Sequence, residues 1–271
     1  MQKYDVIVVG GGHAGCEAAA AVATMGGSVL LISMDMTKFA QMSCNPAVGG
    51  IAKGQIVREI DALGGYMGIV TDWSSIQFRM LNMSKGPAMW SPRSQCDRMI
   101  FSAKWREILE GLPCLRMWQD AVNSLLFDDN KVIGVKTRMG VEFYASSVVI
   151  TAGTFLNGLM HIGASNASGG RSGDAASYGL TEQLISKGFV SGRMKTGTPP
   201  RLDGRTIDFS LTVEQPGDIG GGKFSFLSGI KNNLKQLSCY TVRTNFDVHE
   251  SLKKGFSFSP LFNGTIKGVG P

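Results

Sequence analysis

Apolar positions in the first forty residues fall in blocks. A strand over Tyr4–Val9 leads into a glycine cluster, Gly10-Gly11-Gly12-His13-Ala14-Gly15. An alanine-rich helix over Cys16–Met25 follows, then a second apolar run, Val29–Ile32. Strand, glycine turn, helix and strand in that order predict a β-α-β unit. From Gln41 to Gly68 the chain is punctuated by glycines, with one helical stretch, Gln55–Leu63, whose Ile56, Ile60 and Leu63 share a face. Asp97 is placed to cap a second helix running to Glu110, with Ile100, Trp105, Ile108 and Leu109 apolar. Turns at Asp128-Asp129-Asn130 and Arg138-Met139-Gly140 predict a meander of hairpins, and the next strand, Ser147–Ile150, ends in Thr151-Ala152-Gly153-Thr154. The last third predicts one helix near Ala175–Lys187, closed by Gly188, and then loops.

The glycines fit Gly10-x-Gly12-x-x-Gly15 between strand and helix, which is the context a dinucleotide fingerprint requires. Gly10 makes the turn, Gly12 lets the backbone approach a pyrophosphate, and Gly15 lets the helix pack closely on the strand. The phosphate charge then lies at the positive end of the helix. The fingerprint also expects an acid at the end of the second strand for a ribose hydroxyl. That strand ends at Ser33, and Asp35 lies two residues later.

Composition narrows the class. With 43% apolar and 18% charged residues over 271 positions, the chain is globular rather than disordered. Its 36 glycines lack a three-residue period, which excludes collagen. Five cysteines with no C-x-x-C pair suggest neither zinc nor a redox dithiol, and free thiols in a reducing compartment are expected. The run Val6–Val9 is too short for a signal peptide, and no stretch reaches the roughly 18 apolar residues of a membrane helix, so a cytoplasmic or mature organellar protein is expected. The net charge of +6 is mildly basic.

A β-α-β start, a meander and a return strand point to an α/β fold of the glutathione-reductase type, a Rossmann-like domain with FAD as its implied cofactor. In that class a late strand followed by Gly-Asp completes the site. Gly173-Asp174 and Gly217-Asp218 follow no apolar strand, so the chain is expected to be the N-terminal piece of a longer protein. Residues 1–200 would form an incomplete FAD-binding domain, and residues 201–271 the start of an inserted NAD or substrate domain.

Several unusual runs carry a more specific signal: GGGHAGCE (Gly10–Glu17), QMSCNPAVGG (Gln41–Gly50), REIDALGG (Arg58–Gly65), IQFRML (Ile76–Leu81), SKGPA (Ser84–Ala88), GTFLNG (Gly153–Gly158), SGGRSGD (Ser168–Asp174) and KTGTPPRLDG (Lys195–Gly204). Together they resemble the MnmG/GidA family, essentially end to end. The resemblance implies an FAD-containing enzyme that builds the 5-carboxymethylaminomethyl (or aminomethyl) group on C5 of the tRNA wobble uridine. NADH and methylenetetrahydrofolate as carbon donor, an MnmE-type GTPase partner and a homodimer are implied with it. It also implies that Val122 and Ser177 lie at the FAD and that Gly270 and Pro271 begin an NAD-binding run. Trp90 stands where many members have Arg, and Asp35 where Asn is common.

Cys44 is the candidate for chemistry. It follows the second strand, where flavin disulfide reductases place a cysteine pair, but no second cysteine lies nearby. A thiol near a flavin can act as nucleophile or proton donor if a helix terminus or a cation such as Lys53 lowers its pKa, and the family treats this position as functional; a small core residue is the other reading. His13 is read as offering its backbone N–H to the pyrophosphate rather than its ring to catalysis. Arg79, Lys85, Arg93, Arg98, Lys104 and Arg106, opposed only by Asp97 and Glu107, form either a solvated face or an RNA contact. An FAD oxidoreductase of a small metabolite and a non-catalytic RNA-binding fragment stay open as alternatives.

Overall fold

The computed structural model describes residues 3–266. Two compact units divide the chain: residues 1–153 with 216–238, and residues 154–215 with 239–271. The first begins with β1 (Lys3–Val9), α1 (His13–Thr24) and β2 (Val29–Ser33), the β-α-β unit read from the sequence, with α1 starting three residues earlier than expected. A short strand β3 (Ala47–Gly49) precedes α2 (Gly54–Ala62), α3 (Met67–Ser74), β4 (Ser75–Leu81) and β5 (Ser91–Cys96). Then come α4 (Arg98–Gly111), β6 (Leu115–Gln119), β7 (Val122–Asp128), β8 (Lys131–Thr137) and β9 (Glu142–Ile150).

The main sheet has the order β6-β2-β1-β9-β8-β7, an α/β arrangement of Rossmann type. β6, β2, β1 and β9 are parallel, while β7, β8 and the start of β9 form the antiparallel meander. The return strand and the last meander strand are one element. Tyr144 of β9 faces both Gly134 of β8 and Lys3 of β1, and the pairing with β1 continues to Val9↔Ile150. The core lies between this sheet and the helices: Val8, Val29 and Leu31 pack with Ala19, Ala20, Phe101, Trp105 and Leu109. Asp97 caps α4 as expected, accepting from the N–H groups of Met99 (2.9 Å) and Ile100 (3.0 Å).

α2 departs from expectation. Ile56 and Leu63 are exposed, and the buried face is Gly54, Val57 and Asp61. The cause is a returning segment, residues 216–238, which docks on this side. The Asp61 carboxylate accepts from Phe226 N (2.7 Å), Asp72 accepts from Phe224 N (2.7 Å) and Ser225 N (2.9 Å), and Arg58 donates to the Lys223 carbonyl (3.1 Å). Burial pushes the Asp72 carboxyl up, and those two N–H groups oppose the shift. A three-stranded antiparallel sheet, β3-β5-β4, also lies in this region and has no counterpart in the sequence reading.

The second unit is sparser. It holds the hairpin β10 (Leu159–Ile162) and β11 (Ser165–Ser168), α5 (Leu180–Ser186), the pair β12 (Val213–Gln215) and β13 (Cys239–Thr241), and α6 (Phe246–Lys253). α5 starts five residues later than the predicted Ala175. Gly179 at φ +101° turns the backbone just ahead of it, and Ser177 is tied to Phe155 and Asn157 instead. Gly188 closes it at φ +89°, as expected.

Candidate dinucleotide-binding site

The glycine turn lies at the carboxyl end of β1, where parallel α/β sheets bind ligands. Gly10, at φ +108°, donates its N–H to the Ile32 carbonyl (2.8 Å). Thr151, the first residue after β9, closes the other side. Its N–H reaches Val9 O (2.8 Å), and its hydroxyl donates to Val9 O and Gly10 O (3.0 Å each). A Cβ on Gly15 would lie 1.8 Å from the Gly10 carbonyl oxygen and 2.7 Å from the Thr151 hydroxyl, so α1 sits on the turn at a distance only glycine allows.

Gly12 is the opposite case. A Cβ there would meet nothing within 4 Å, and both Gly12 and Ala14 are exposed while Gly11 and Gly15 are buried. Gly12 is also the N-cap of α1. No side chain caps the helix, and its first turn holds no acid. First-turn N–H groups have no partner inside a helix, so this end presents donors and a positive dipole to open space. Those features fit an anionic pyrophosphate.

His13 turns its ring inward, edge-on to Phe101 at 5.6 Å, and its buried Nε2 has no hydrogen-bond partner. Burial lowers its pKa, partly offset by a hydrogen bond with the Ala40 backbone. Cys16, fully buried, donates to the Gly11 carbonyl (3.3 Å), and burial pushes its thiol up to about 12, an inert packing residue. Asp35 caps the 3-10 turn Met36–Lys38. It accepts from Thr37 Oγ1 (2.6 Å) and N (2.8 Å) and pairs with Lys38 at 3.1 Å. The Thr37 hydroxyl bond is the main reason its carboxyl is held below the usual range.

Val122 is buried at the start of β7. The segment before it is laced to the end of β2: Asp120 N donates to Ser33 O (3.0 Å), and Met36 N to Gln119 Oε1 (3.0 Å). The structure therefore brings the glycine turn, Asp35 and the approach to Val122 to one end of the parallel sheet. Ser177 lies in the second compact unit, half-buried, with its N–H on Phe155 O (2.8 Å). Gly270 lies outside the described residues. Cys44 sits half-buried in the loop before β3, two residues from Pro46, whose carbonyl accepts from Cys96 N (2.7 Å). All five cysteines are thiols, and no group of three or more acidic, histidine or cysteine residues suited to a metal occurs among the described residues. Thr151 was legible only as part of a small-residue turn. Glu17, which accepts from Tyr66 N (2.7 Å), gave no sequence signal beyond lying in the GGGHAGCE run.

Residues 5–271 match the profile of the family described as Glucose inhibited division protein A. The chain belongs to the GidA family. Curated relatives named tRNA uridine 5-carboxymethylaminomethyl modification enzyme MnmG are 61% identical in Phocaeicola vulgatus and 62% in Porphyromonas gingivalis, each over 269 residues and 99% of this chain. The chain spans 43% of the length of either relative. A crystal structure of GidA from Aquifex aeolicus superimposes with a TM-score of 0.92 at 44% identity, over all of this chain and 46% of that one. The GidA-related protein of Thermus thermophilus shares the fold at 24% identity and a TM-score of 0.51, over 70% of each chain.

Of the six clustered cations, four are engaged internally. Lys104 pairs with Glu107 (2.7 Å), Arg106 with Glu110 (2.5 Å) and the Met36 carbonyl (2.8 Å), and Arg98 donates to the Met42 carbonyl. Arg79 lies 3.8 Å from Asp218. No helix among the described residues is long and apolar enough to cross a membrane.

Proposed function

We propose that this chain is the FAD-binding part of an enzyme that forms the 5-carboxymethylaminomethyl, or aminomethyl, group at C5 of the tRNA wobble uridine. The observation that carries the reading is the open, uncapped helix end at Gly12 in a chain that aligns over its whole length with MnmG relatives. Gly10, Gly11, Gly12, His13, Ala14 and Gly15 would hold the pyrophosphate, with backbone N–H groups and not the His13 ring turned to it. Val122 would contact the adenine half. Ser177 would lie at the same cofactor. Bound flavin supplies reversible electron transfer that no side chain can.

Residues 1–200 are assigned to the FAD-binding domain and 201–271 to the start of an inserted domain, with Gly270 beginning the NAD-binding run. NADH is the reductant, methylenetetrahydrofolate the carbon donor, an MnmE-type GTPase the partner, and the assembly a cytoplasmic homodimer. Cys44 is assigned to carbon transfer as nucleophile or proton donor. The test is mass analysis of nucleosides from tRNA treated with the full-length protein, its GTPase partner with GTP, NADH, methylenetetrahydrofolate and either glycine or ammonium. Modified wobble uridine is expected. A flavin-loaded protein that leaves the tRNA unchanged under these conditions would overturn the reading.

A further inference from the structure

Cys44 lies in the middle of a short span that is tied at both ends to one stretch of chain. Upstream, the Met42 carbonyl accepts from the Arg98 guanidinium. Downstream, the Pro46 carbonyl accepts from Cys96 N (2.7 Å). The two donors stand on either side of Asp97, the cap of α4. Ser43 and Asn45 are exposed and Cys44 is half-buried, so the backbone that carries the thiol is a bridge between two anchors.

The upstream anchor belongs to a longer splint. Arg98, Ser102 and Arg106 recur at every fourth position of α4, which keeps them on one face. Each donates to a carbonyl of the loop leading to Cys44: Arg98 to Met42, Ser102 to Phe39 (2.6 Å) and Arg106 to Met36 (2.8 Å). The loop therefore runs antiparallel to the helix, and the spacings agree where the loop is regular. A 3-10 turn such as Met36–Lys38 advances about 6 Å over three residues, as an α-helix does over four. The opposite side of the same loop meets the glycine turn. Ala40 N donates to the Gly11 carbonyl (2.8 Å), and a Cβ on Gly11 would lie 2.6 Å from the Phe39 ring. Phe39 and Ala40 are buried, and Ala40 is at φ +48°, a conformation an alanine keeps only where its surroundings hold it.

We propose that Arg98 is a positioning residue for Cys44: its bond to the Met42 carbonyl fixes the bridge, so that the thiol keeps one place relative to the glycine turn. This rests on the assignment of Cys44 to carbon transfer and names the side chain that aims it. The Pro46 anchor is a backbone N–H, so Arg98 is the end of the bridge that a side-chain change can release. A misplacement of about 1 Å at a reacting group costs up to about 100-fold in rate.

The test compares full-length Arg98→Met, Arg98→Lys and Arg106→Met with the parent, reading flavin absorbance, melting temperature, NADH oxidation, and kcat and KM for tRNA modification. Arg98→Met keeps an aliphatic stem without the donor. Its kcat should fall at least about tenfold while KM for tRNA, flavin content and NADH oxidation stay at parent values. Arg98→Lys restores one flexible donor and should give an intermediate kcat, so it decides the matter if Arg98→Met does not fold. Arg106→Met releases the loop at Met36, farther from Cys44, and should lower the melting temperature with a smaller loss of kcat. Parent-like kcat in Arg98→Met, or in Arg98→Lys where that variant alone folds, would overturn the inference and leave the function in place. So would loss of flavin, or kcat losses in the two methionine variants that merely follow their melting temperatures. An active Cys44→Ala protein would remove the thiol assignment and the inference with it, and a parent protein that leaves tRNA unmodified would overturn the function itself.

Discussion

Two glycines three residues apart should respond to substitution in opposite ways. A methyl group at Gly15 would lie 1.8 Å from the Gly10 carbonyl oxygen, about half a normal contact distance, with the Thr151 hydroxyl at 2.7 Å behind it. Both obstacles belong to the turn itself, so relief requires lifting α1 off the turn. Overpacking of this kind costs about 3 kcal/mol or more, the top of the usual range. That corresponds to a fall in melting temperature of roughly 6 to 12 °C in a domain of this size. At Gly12 a side chain enters open space on backbone at φ −76° and ψ −173°, which any residue can adopt. Gly12→Val then loses only part of a favourable N-cap, up to about 1 kcal/mol, but fills the space assigned to the pyrophosphate. Gly15→Ala should therefore give a labile protein, and Gly12→Val a folded, colourless one. Thermal unfolding and flavin absorbance of the two full-length variants separate these effects. A Gly15→Ala protein as stable as the parent would refute the packing argument, and normal flavin retention by Gly12→Val would refute the cofactor assignment.

Three further outcomes are expected. Cys44→Ser should keep its flavin, its melting curve and NADH oxidation while losing the modified wobble uridine; full modification by a stable Cys44→Ala protein would remove the thiol from the mechanism. Asp97→Ala removes the acceptor for two N–H groups at the start of α4 and should cost about 1 kcal/mol, read as a melting shift of roughly 2 to 4 °C. Burial holds the Glu17 carboxyl above its ordinary value of 4.5, so its contribution to stability is fully present below pH 4.5 and is lost as pH rises through the folded-state value. Glu17→Gln keeps an acceptor for Tyr66 N and should flatten that loss in denaturant midpoints measured against pH; an unchanged pH profile would show that Glu17 is not the group responsible.

The β-α-β unit, the capped helix at Asp97 and the meander were legible because their causes are local: apolar runs, a capping acid and turn residues at fixed spacing. The glycine turn was legible for the same reason. What escaped was set by distant contacts. β5, Ser91–Cys96, reads Ser-Pro-Arg-Ser-Gln-Cys and has no apolar alternation, so only its pairing with β4 makes it a strand. The inner face of α2 could not be read from its apolar residues, because Asp61 points inward to hold Phe226, a residue 165 positions away. Thr151 showed itself as one small residue among several, and its double hydrogen bond to Val9 and Gly10 depends on β9 lying beside β1.

That adjacency sets an order of events during synthesis. β1 pairs with β2 within the first 33 residues, but its other edge waits for β9, whose last partner, Ile150, follows Val9 by 141 positions. At about 5 to 20 residues per second, the ribosome takes roughly 7 to 30 s to deliver it. Through that interval one edge of a strand that ends in the apolar run Val6–Val9 stays unpaired, a template for the wrong partner. The glycine turn also lacks its Thr151 buttress until then. The turn assigned to the cofactor leaves the ribosome first among the elements of that site and is therefore among the last to acquire its final shape, waiting for a strand encoded some 400 nucleotides downstream.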